Sequence, residues 1–167
     1  GIVLTTGQAK TIGNDWGTDG NGIAAASTLE ASGNWGLPGD NDLSIAVGNF
    51  NLEDACVLEF DFVPLGDSIK FNYVFSSEEY VPDYVCSFND VFAFFISGPG
   101  ITGLKNIALI PNTNTPVSIF NVNDVQGGTC PNNTQYYVDN RTNVFFTHDG
   151  HTVVLTAKEK VQPCQTY

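Results

Sequence analysis

The stretch FNYVFSSEEYVPDYVCSFNDVFAFFISGPG, Phe71–Gly100, places two aromatic-rich strand patterns on either side of a polar segment. In the first pattern, Phe71, Tyr73 and Phe75 alternate with smaller or polar residues, as in a strand with one buried face. The second pattern, VFAFFISG, is almost continuously apolar, which is typical of a strand in the middle of a core. The stretch therefore predicts β structure interrupted by an acidic loop.

Similar patterns surround this stretch on both sides. The segment CVLEFDFVP alternates cleanly, and the turn signal Gly66-Asp67 after it predicts an antiparallel hairpin with SIKFNYVF. No segment of helical period competes with these strands. The remaining predicted strands are Leu43–Val47, Ile107–Ile110, Val117–Phe120, Gln135–Val138, Asn143–Phe146 and Thr152–Ala157.

Short strands separated by Gly, Pro and Asn turns predict an all-β fold, an antiparallel two-sheet β-sandwich of jelly-roll-like form. With 167 residues, the chain can bury one core, so we expect a single domain over residues 1–167. Within it, residues 1–41 form a long Gly-rich N-terminal loop region, in which Ala24–Leu29 is at most a helical turn. Residues 42–167 form the strand-rich core.

The charge of the chain restricts its partners. Eighteen acidic residues against six basic ones give a net charge of −12, which repels nucleic-acid backbones and anionic membrane surfaces. No apolar run is long enough to cross a bilayer, so direct membrane insertion is not expected. The same acidity is compatible with Ca²⁺ binding, although it also serves solubility alone.

Four cysteines, an even number without a CxxC or zinc-type spacing, indicate disulfides formed in an oxidising compartment. All three pairings are open on sequence grounds. The strand-like context of Cys56 and Cys164, and the loop-like context of Cys86 and Cys130, favour those two pairs. Two N-x-[ST] triplets mark candidate glycosylation sites in exposed loops, at Asn132 and Asn140.

The acidic loop is the strongest candidate site. Five oxygen-bearing side chains lie within thirteen positions, and hard cations need several such ligands at once. The sequence therefore predicts a Ca²⁺ site, although solvated carboxylates and turn-capping side chains would give the same pattern. A glycoside hydrolase using Glu78, Glu79 and Asp83 is a weaker alternative, because the required separation across a cleft cannot be read from sequence. The five residues are Glu78, Glu79, Asp83, Asn89 and Asp90.

Other candidate features are less specific. His148 and His151 flank the turn signal Asp149-Gly150, and their spacing does not indicate a metal site. The chain has no GxSxG motif and no phosphate-binding loop. Exposed aromatic rings could stack on surface glycans, which makes a carbohydrate-binding module the main alternative function. The rings in question are Trp16, Trp35 and Tyr80.

The order of several motifs along the chain resembles the choice-of-anchor L domain of secreted and surface-anchored bacterial proteins. The motifs are GIVLTTG, LEFDFVP, FNYVFSSEEY, FNDVFAFFISGPG, NIALIP, VNDV, YYVDN, DGHTVVLTA and CQTY. This resemblance implies a non-enzymatic extracellular β-sandwich module at the cell surface, adhesive or structural in role. It also implies a cation site at Glu78, Glu79, Asn89 and Asp90.

The family pattern extends beyond both ends of the sequence, so we expect this chain to cover the central part of the domain. A sandwich without its terminal strands would expose unpaired edges. We therefore expect other protein chains, or other segments, to supply strands by β-augmentation, with a homopolymeric filament as one such arrangement.

Overall fold

The computed structural model describes residues 1–6, 36–124, 130, 133–142 and 148–167. The predictions for Ala24–Leu29 and Asn143–Phe146, and for the side chains of Trp16, Trp35 and Asn132, lie outside the described residues. The elements are α1 Asn41–Ala46, β1 Ser68–Tyr73, β2 Ser76–Ser77, β3 Phe95–Ile96, β4 Lys105–Asn106, a 3₁₀ helix Thr134–Tyr136, β5 Tyr137–Asp139, β6 Gly150–Thr152 and β7 Leu155–Lys160. The predicted all-β fold class is confirmed.

One long antiparallel ribbon dominates the fold. Its first arm, residues 62–77, contains β1 and β2, and its second arm, residues 150–167, contains β6 and β7. β1 pairs with β7 from Ser68↔Lys160 to Tyr73↔Leu155, and β2 pairs with β6. Further bonds extend the pairing to the last residue, because Phe62 and Tyr167 exchange both backbone hydrogen bonds at 3.0 Å. β5 adds to the other side of β6.

At two places in the ribbon, two residues of the second arm lie opposite one residue of the first arm. The Thr152 N–H donates to the Phe75 carbonyl, whereas Leu155 pairs with Tyr73, so residues 153 and 154 lie opposite Val74. Near the other end, Cys164 donates to Pro64 while Tyr167 pairs with Phe62. Both places have the residue count of β-bulges, which increase the local twist of a ribbon.

A second layer, formed by residues 90–96, 105–110 and 115–119, packs against the ribbon. Ile107 donates to the Phe94 carbonyl at 2.8 Å, and Ile119 donates to the Asp90 carbonyl at 3.1 Å. Aromatic side chains join the two layers. The ring centroid of Tyr73 lies 5.1 Å from that of Phe92 and 5.4 Å from that of Phe94. The apolar side chains that alternate along the first arm therefore pack between the two layers.

The core continues along this contact in three clusters. One includes Ile96, Ile107 and Ala157, with side chains from both layers. The next includes Ile110 and Leu155. The third contains Tyr80, Val85 and Ile119 and lies beside the acidic loop.

Several sequence predictions about elements are wrong. Ile107–Ile110 and Val117–Phe120 make isolated bridges rather than strands. The segments around Gly66-Asp67 do not form a hairpin with each other. Both belong to the first arm, because Asp67 accepts from Val161 and the chain keeps its direction. Leu43–Val47 does not form a strand, because Asp40 caps α1 by accepting the Leu43 N–H at 2.7 Å. An Asp N-cap stabilises a helical start that the apolar run alone does not indicate.

Candidate functional site

The acidic loop, residues 78–90, connects the end of β2 to the second layer. It contains tight backbone turns, in which Val85 donates to the Val81 carbonyl and Phe88 to the Tyr84 carbonyl. Its middle is tied by the Cys86–Cys130 disulfide, with Cα atoms 5.7 Å apart. Val85 of this loop packs in the third core cluster.

Ser77 joins the two ends of this loop. Its hydroxyl donates to Asp90 Oδ2 at 2.6 Å and accepts the Glu79 backbone N–H at 3.0 Å. Ser77 is buried, so these bonds are made away from bulk water. The arrangement holds Asp90 close to the backbone of Glu79.

Burial and mutual repulsion disfavour the charged forms of these two carboxylates. Burial, followed by the negative charge of Asp90, raises the pKa of Glu79 to about 7. Burial also raises the pKa of Asp90, against the opposing effect of the Ser77 hydrogen bond. Asp90 is nevertheless an exposed residue, so solvent reaches part of it. Glu79 Oε2 is buried and has no hydrogen-bond partner, which leaves it able to take a proton or a cation.

The structure brings together only part of the predicted cation site. Asp83 is exposed, and Asn89 Oδ1 accepts the Phe120 N–H at 3.1 Å, which occupies one of the two lone pairs of that oxygen. Among the residues that the structure describes, no three His, Cys, Asp or Glu side chains converge as metal ligands. The carboxylate pair Glu79 and Asp90, with Ser77 between them, is the compact feature of the loop.

Two tyrosines beside this pair were not predicted as part of the site. Tyr80 is only 1% exposed, and its ring centroid lies 5.0 Å from that of Tyr137. Both hydroxyls are buried without a hydrogen-bond partner, and burial raises both pKa values. No sequence signal distinguishes such a pair from ordinary core aromatics. Tyr80 cannot serve as an exposed platform for sugars.

A serine and a histidine meet on the other side of β2. His148 Nδ1 lies 2.8 Å from Ser76 Oγ, and burial lowers the pKa of His148 to about 4. His148 is therefore neutral at pH 7. His151 Nδ1 lies 2.9 Å from the Thr152 carbonyl, so the two imidazoles have separate partners.

The cysteines divide into one disulfide and two thiols. The expected Cys86–Cys130 pair is confirmed, whereas the expected Cys56–Cys164 pair is wrong, because both of these residues are exposed and free. Cys164 lies opposite Pro64, and Cys56 precedes Pro64 by eight residues.

The structure argues against glycosylation at Asn140. This residue is only 2% exposed, and its Nδ2 donates to the His148 carbonyl at 2.8 Å. A glycan attached to that nitrogen would have to displace the contact and open the fold. The candidate at Asn132 stays a prediction.

Comparison with known proteins places the chain in a family. The family model described as the choice-of-anchor L domain matches residues 1–167, and the chain belongs to this family. Membership indicates a non-enzymatic, surface-associated or secreted type of domain. No curated protein and no solved structure matches the chain. In the described part of the chain, no helix has the length and apolar character needed to cross a membrane.

Proposed function

We propose that the chain is a non-catalytic structural or adhesive module of a bacterial surface protein or surface filament. In this proposal the β-sandwich is completed by a strand from another chain or segment, and Ca²⁺ stabilises the acidic loop. The family supports the surface location, and the loop chemistry supports the cation.

The observation that carries the structural role is the open end of the first arm. The residues before Phe62 are rich in apolar side chains that stay in water: Val57 is 65% exposed and Phe60 is 57% exposed. Leu58 and Val63 are exposed as well. Apolar strand-like surface of this kind is unusual on a monomer and marks interaction surfaces. It suits a module whose role is to join other polypeptides.

An enzymatic role has less support. A groove between residues 36–38 and 51–53, on either side of α1 in the sequence, contains none of the carboxylates of the acidic loop. Asp83, which a hydrolase would need beside Glu78 and Glu79, is exposed. The residues that line the groove are Gly36, Leu37, Pro38, Asn51, Leu52 and Glu53.

The calcium proposal depends on the pair Glu79 and Asp90. A divalent cation between two repelling carboxylates would offset their repulsion, and Glu79 Oε2 has no hydrogen bond to give up. Since no three acidic side chains converge among the described residues, the other ligands would be neutral oxygens such as hydroxyls, carbonyls and water. We therefore expect modest affinity.

Thermal unfolding in EDTA and in CaCl₂, against NaCl of equal ionic strength, tests this site. Calcium should raise the Tm of the wild type and of Asp83→Asn, because a ligand that binds only the folded state stabilises it. Glu79→Gln should abolish the increase. An equal response of all three proteins would show that calcium acts only through general screening.

Labelling of intact cells tests the surface location. An antibody against the folded domain should bind cells of the source bacterium before permeabilisation, and external protease should remove the signal. Labelling that appears only after permeabilisation would contradict the proposed location. Deleting the domain should then reduce attachment or filament assembly if the module has the proposed role.

A further inference from the structure

The outer face of the β1–β7 pair concentrates positive charge. In the register of this pair, Lys70 lies directly opposite Lys158, and Lys160 lies two residues further along β7. Side chains on the other face of the same strands, such as those of Ile69 and Ala157, pack in the core. The outward residues form the lysine face, and all of them are exposed: Ser68, Lys70, Asn72, Thr156, Lys158 and Lys160.

The described part of the protein does not neutralise the three lysines of this face. The chain has only six basic residues against eighteen acidic ones. Lys105 and Arg141, the other basic residues that the structure describes, both form ion pairs. None of the three face lysines pairs with a described carboxylate. The face therefore keeps its positive charge in a chain whose net charge is −12.

Placing these charges together works against the stability of the sheet. Directly opposite residues in an antiparallel pair have Cβ atoms about 5 Å apart, and like charges at this distance destabilise the pair. A neutral polar residue at Lys70 or Lys158 would relieve the repulsion. Because the lysines make no described internal contact that offsets this repulsion, their arrangement favours a role in binding an anion.

The polar residues of the face add hydrogen-bonding groups beside the charges. Thr156 Oγ1 donates to Asn72 Oδ1 at 2.9 Å, whereas no described residue accepts from the Asn72 amide nitrogen. At the end of the face, the Ser68 hydroxyl donates to Asp67 Oδ1 at 3.2 Å and keeps its capacity to accept. Ammonium groups next to amide and hydroxyl groups match a ligand that carries both carboxylates and hydroxyls, as acidic sugars do.

The composition of the face argues against other anionic partners. The centres of protein interfaces are depleted in lysine and serine, and the lysine face contains no apolar side chain. A nucleic-acid duplex or a membrane presents charge over a wide area, so it would also meet the acidic remainder of the chain. A thin sugar chain can follow the face alone, because exposed charges more than about 8 Å away are largely screened at physiological ionic strength.

We propose that the lysine face binds a carboxylated polysaccharide at the cell surface. The lysines pair with the carboxylates of successive acidic sugars, and Asn72 and Thr156 bind sugar hydroxyls. This proposal rests on the adhesive role proposed above and names the chemical class of its ligand.

Binding of fluorescein-labelled oligogalacturonate to the whole chain tests this site, in buffer with EDTA so that calcium does not bridge the carboxylates. Lys70→Gln and Lys158→Gln should each weaken binding about 1.5- to 5-fold, as expected for one exposed ion pair. The combined change, with Lys160→Gln added, should weaken it about 3- to 150-fold. The matched control Lys105→Gln removes the same charge away from the face and should leave binding unchanged.

Two comparison ligands separate sugar recognition from charge alone. The fully methyl-esterified oligosaccharide has the same sugar chain without its charges and should not bind. Polyglutamate with the same number of carboxylates should bind more weakly than oligogalacturonate, because it lacks the hydroxyls. Equal binding of either comparison ligand, or no binding of oligogalacturonate, would overturn the proposal.

Thermal unfolding distinguishes a binding role from a structural one. Lys70→Gln and Lys158→Gln should keep or raise the Tm, because each relieves a repulsion between the strands. A lower Tm for these variants would show that the lysines stabilise the sheet itself, and would contradict the proposal.

Acetylation with an amine reagent, followed by mass spectrometry, shows whether the face is open. The three lysines should react rapidly in the free protein, and oligogalacturonate should protect them. Slow reaction in the free protein would overturn the proposal and show that another part of the chain covers the face. A dimer in sedimentation that the combined variant loses would instead identify a second copy as the occupant. None of these results bears on the labelling of intact cells, so failure of this site is distinguishable from failure of the proposed function.

Discussion

Gly150 lies where two tyrosines close over the backbone of β6. A Cβ at this position would lie 2.5 Å from Tyr137 Cε2 and 2.9 Å from Tyr80 Cβ. Gly150→Ala should therefore lower the free energy of unfolding by about 1–3 kcal/mol, as overpacking does in tight cores. Urea denaturation measures this change.

The matched control is Gly66→Ala. No atom lies within 4 Å of a Cβ built at Gly66, so the substitution should leave stability nearly unchanged. Similar losses for both variants would show that the tyrosine contacts do not limit the space at Gly150.

Glu79 should make stability depend on pH in an unusual direction. Its pKa in the folded state is about 7, above the ordinary value of 4.5, so the folded state holds the proton more tightly than the unfolded state. Its contribution is therefore complete below about pH 4.5 and is lost as pH rises through 7. Since Glu79 is only half-buried, we expect on the order of 1 kcal/mol after allowing for solvent screening.

Comparing the wild type with Glu79→Gln isolates this effect. His148, whose pKa is lowered to about 4, acts in the opposite direction, because its stabilising contribution is lost as pH falls from 6.5 towards 4. Both proteins contain His148, so its effect cancels when the free energies of unfolding of the two proteins are subtracted. In metal-free buffer, the glutamine variant should gain stability relative to wild type between pH 5 and 8, and a flat difference would contradict the assigned environment.

At the level of single residues, the sequence indicates the locality of the site but not its composition. The density of carboxylates directs attention to residues 78–90, where the cation site stays a prediction. Which of them meet depends on Ser77, whose hydroxyl bonds Asp90, and on the turns that leave Asp83 in solvent. The hydrogen bond and the turns both depend on tertiary packing. The local sequence Ser-Ser-Glu-Glu does not indicate that the second serine will bond Asp90.

Among the elements, the Cys86–Cys130 disulfide ties the acidic loop to the segment after the second layer. It closes a loop with a sequence separation of 44 residues. Replacing both cysteines by alanine should lower the free energy of unfolding by about 2–4 kcal/mol, because the unfolded chain regains the entropy that the link removes. Chemical denaturation under non-reducing conditions measures the loss.

The exposed thiols provide the control for this experiment. Cys56→Ser and Cys164→Ser should each change stability by less than about 0.5 kcal/mol, as is usual at surface positions. In the native wild type, a thiol reagent should titrate two cysteines. Two titrated thiols that disappear on oxidation, with a gain in stability, would indicate a second link that the structure lacks.

The ribbon shows where sequence reading fails at the element scale. Alternation correctly predicts the strand at Ser68–Tyr73, in which Ile69 and Tyr73 pack on the core, whereas the alternating residues 57–61 are exposed on both faces. It does not identify the strand that pairs with Ser68–Tyr73, because Gly66-Asp67 reads as a local turn whereas the actual partner lies about ninety residues later. A local turn pattern is visible in the sequence, whereas pairing between distant strands is not, although the distant pairing determines the fold.

For the whole molecule, the net charge of −12 should make stability sensitive to salt. The described residues contain few ion pairs, namely Lys105 with Glu159 and Arg141 with Asp124 and Asp139, so screening should relieve more repulsion than it removes attraction. Raising NaCl from low to moderate concentration at pH 7 should increase the Tm. The increase should largely vanish near the isoelectric point of about 4.1, and a decrease at pH 7 would contradict this balance.

The ribbon has a further consequence for the time at which this molecule acquires its structure. Ser77 pairs with Gly150 and Phe62 with Tyr167, so the first arm cannot pair until more than seventy further residues have been made. At ordinary rates of synthesis this wait is about 4–15 seconds. Throughout this wait, the aromatic strand of the nascent chain lacks its native hydrogen-bonding partner, which makes chaperone capture, and exchange of arms between chains, the main hazards of its biogenesis.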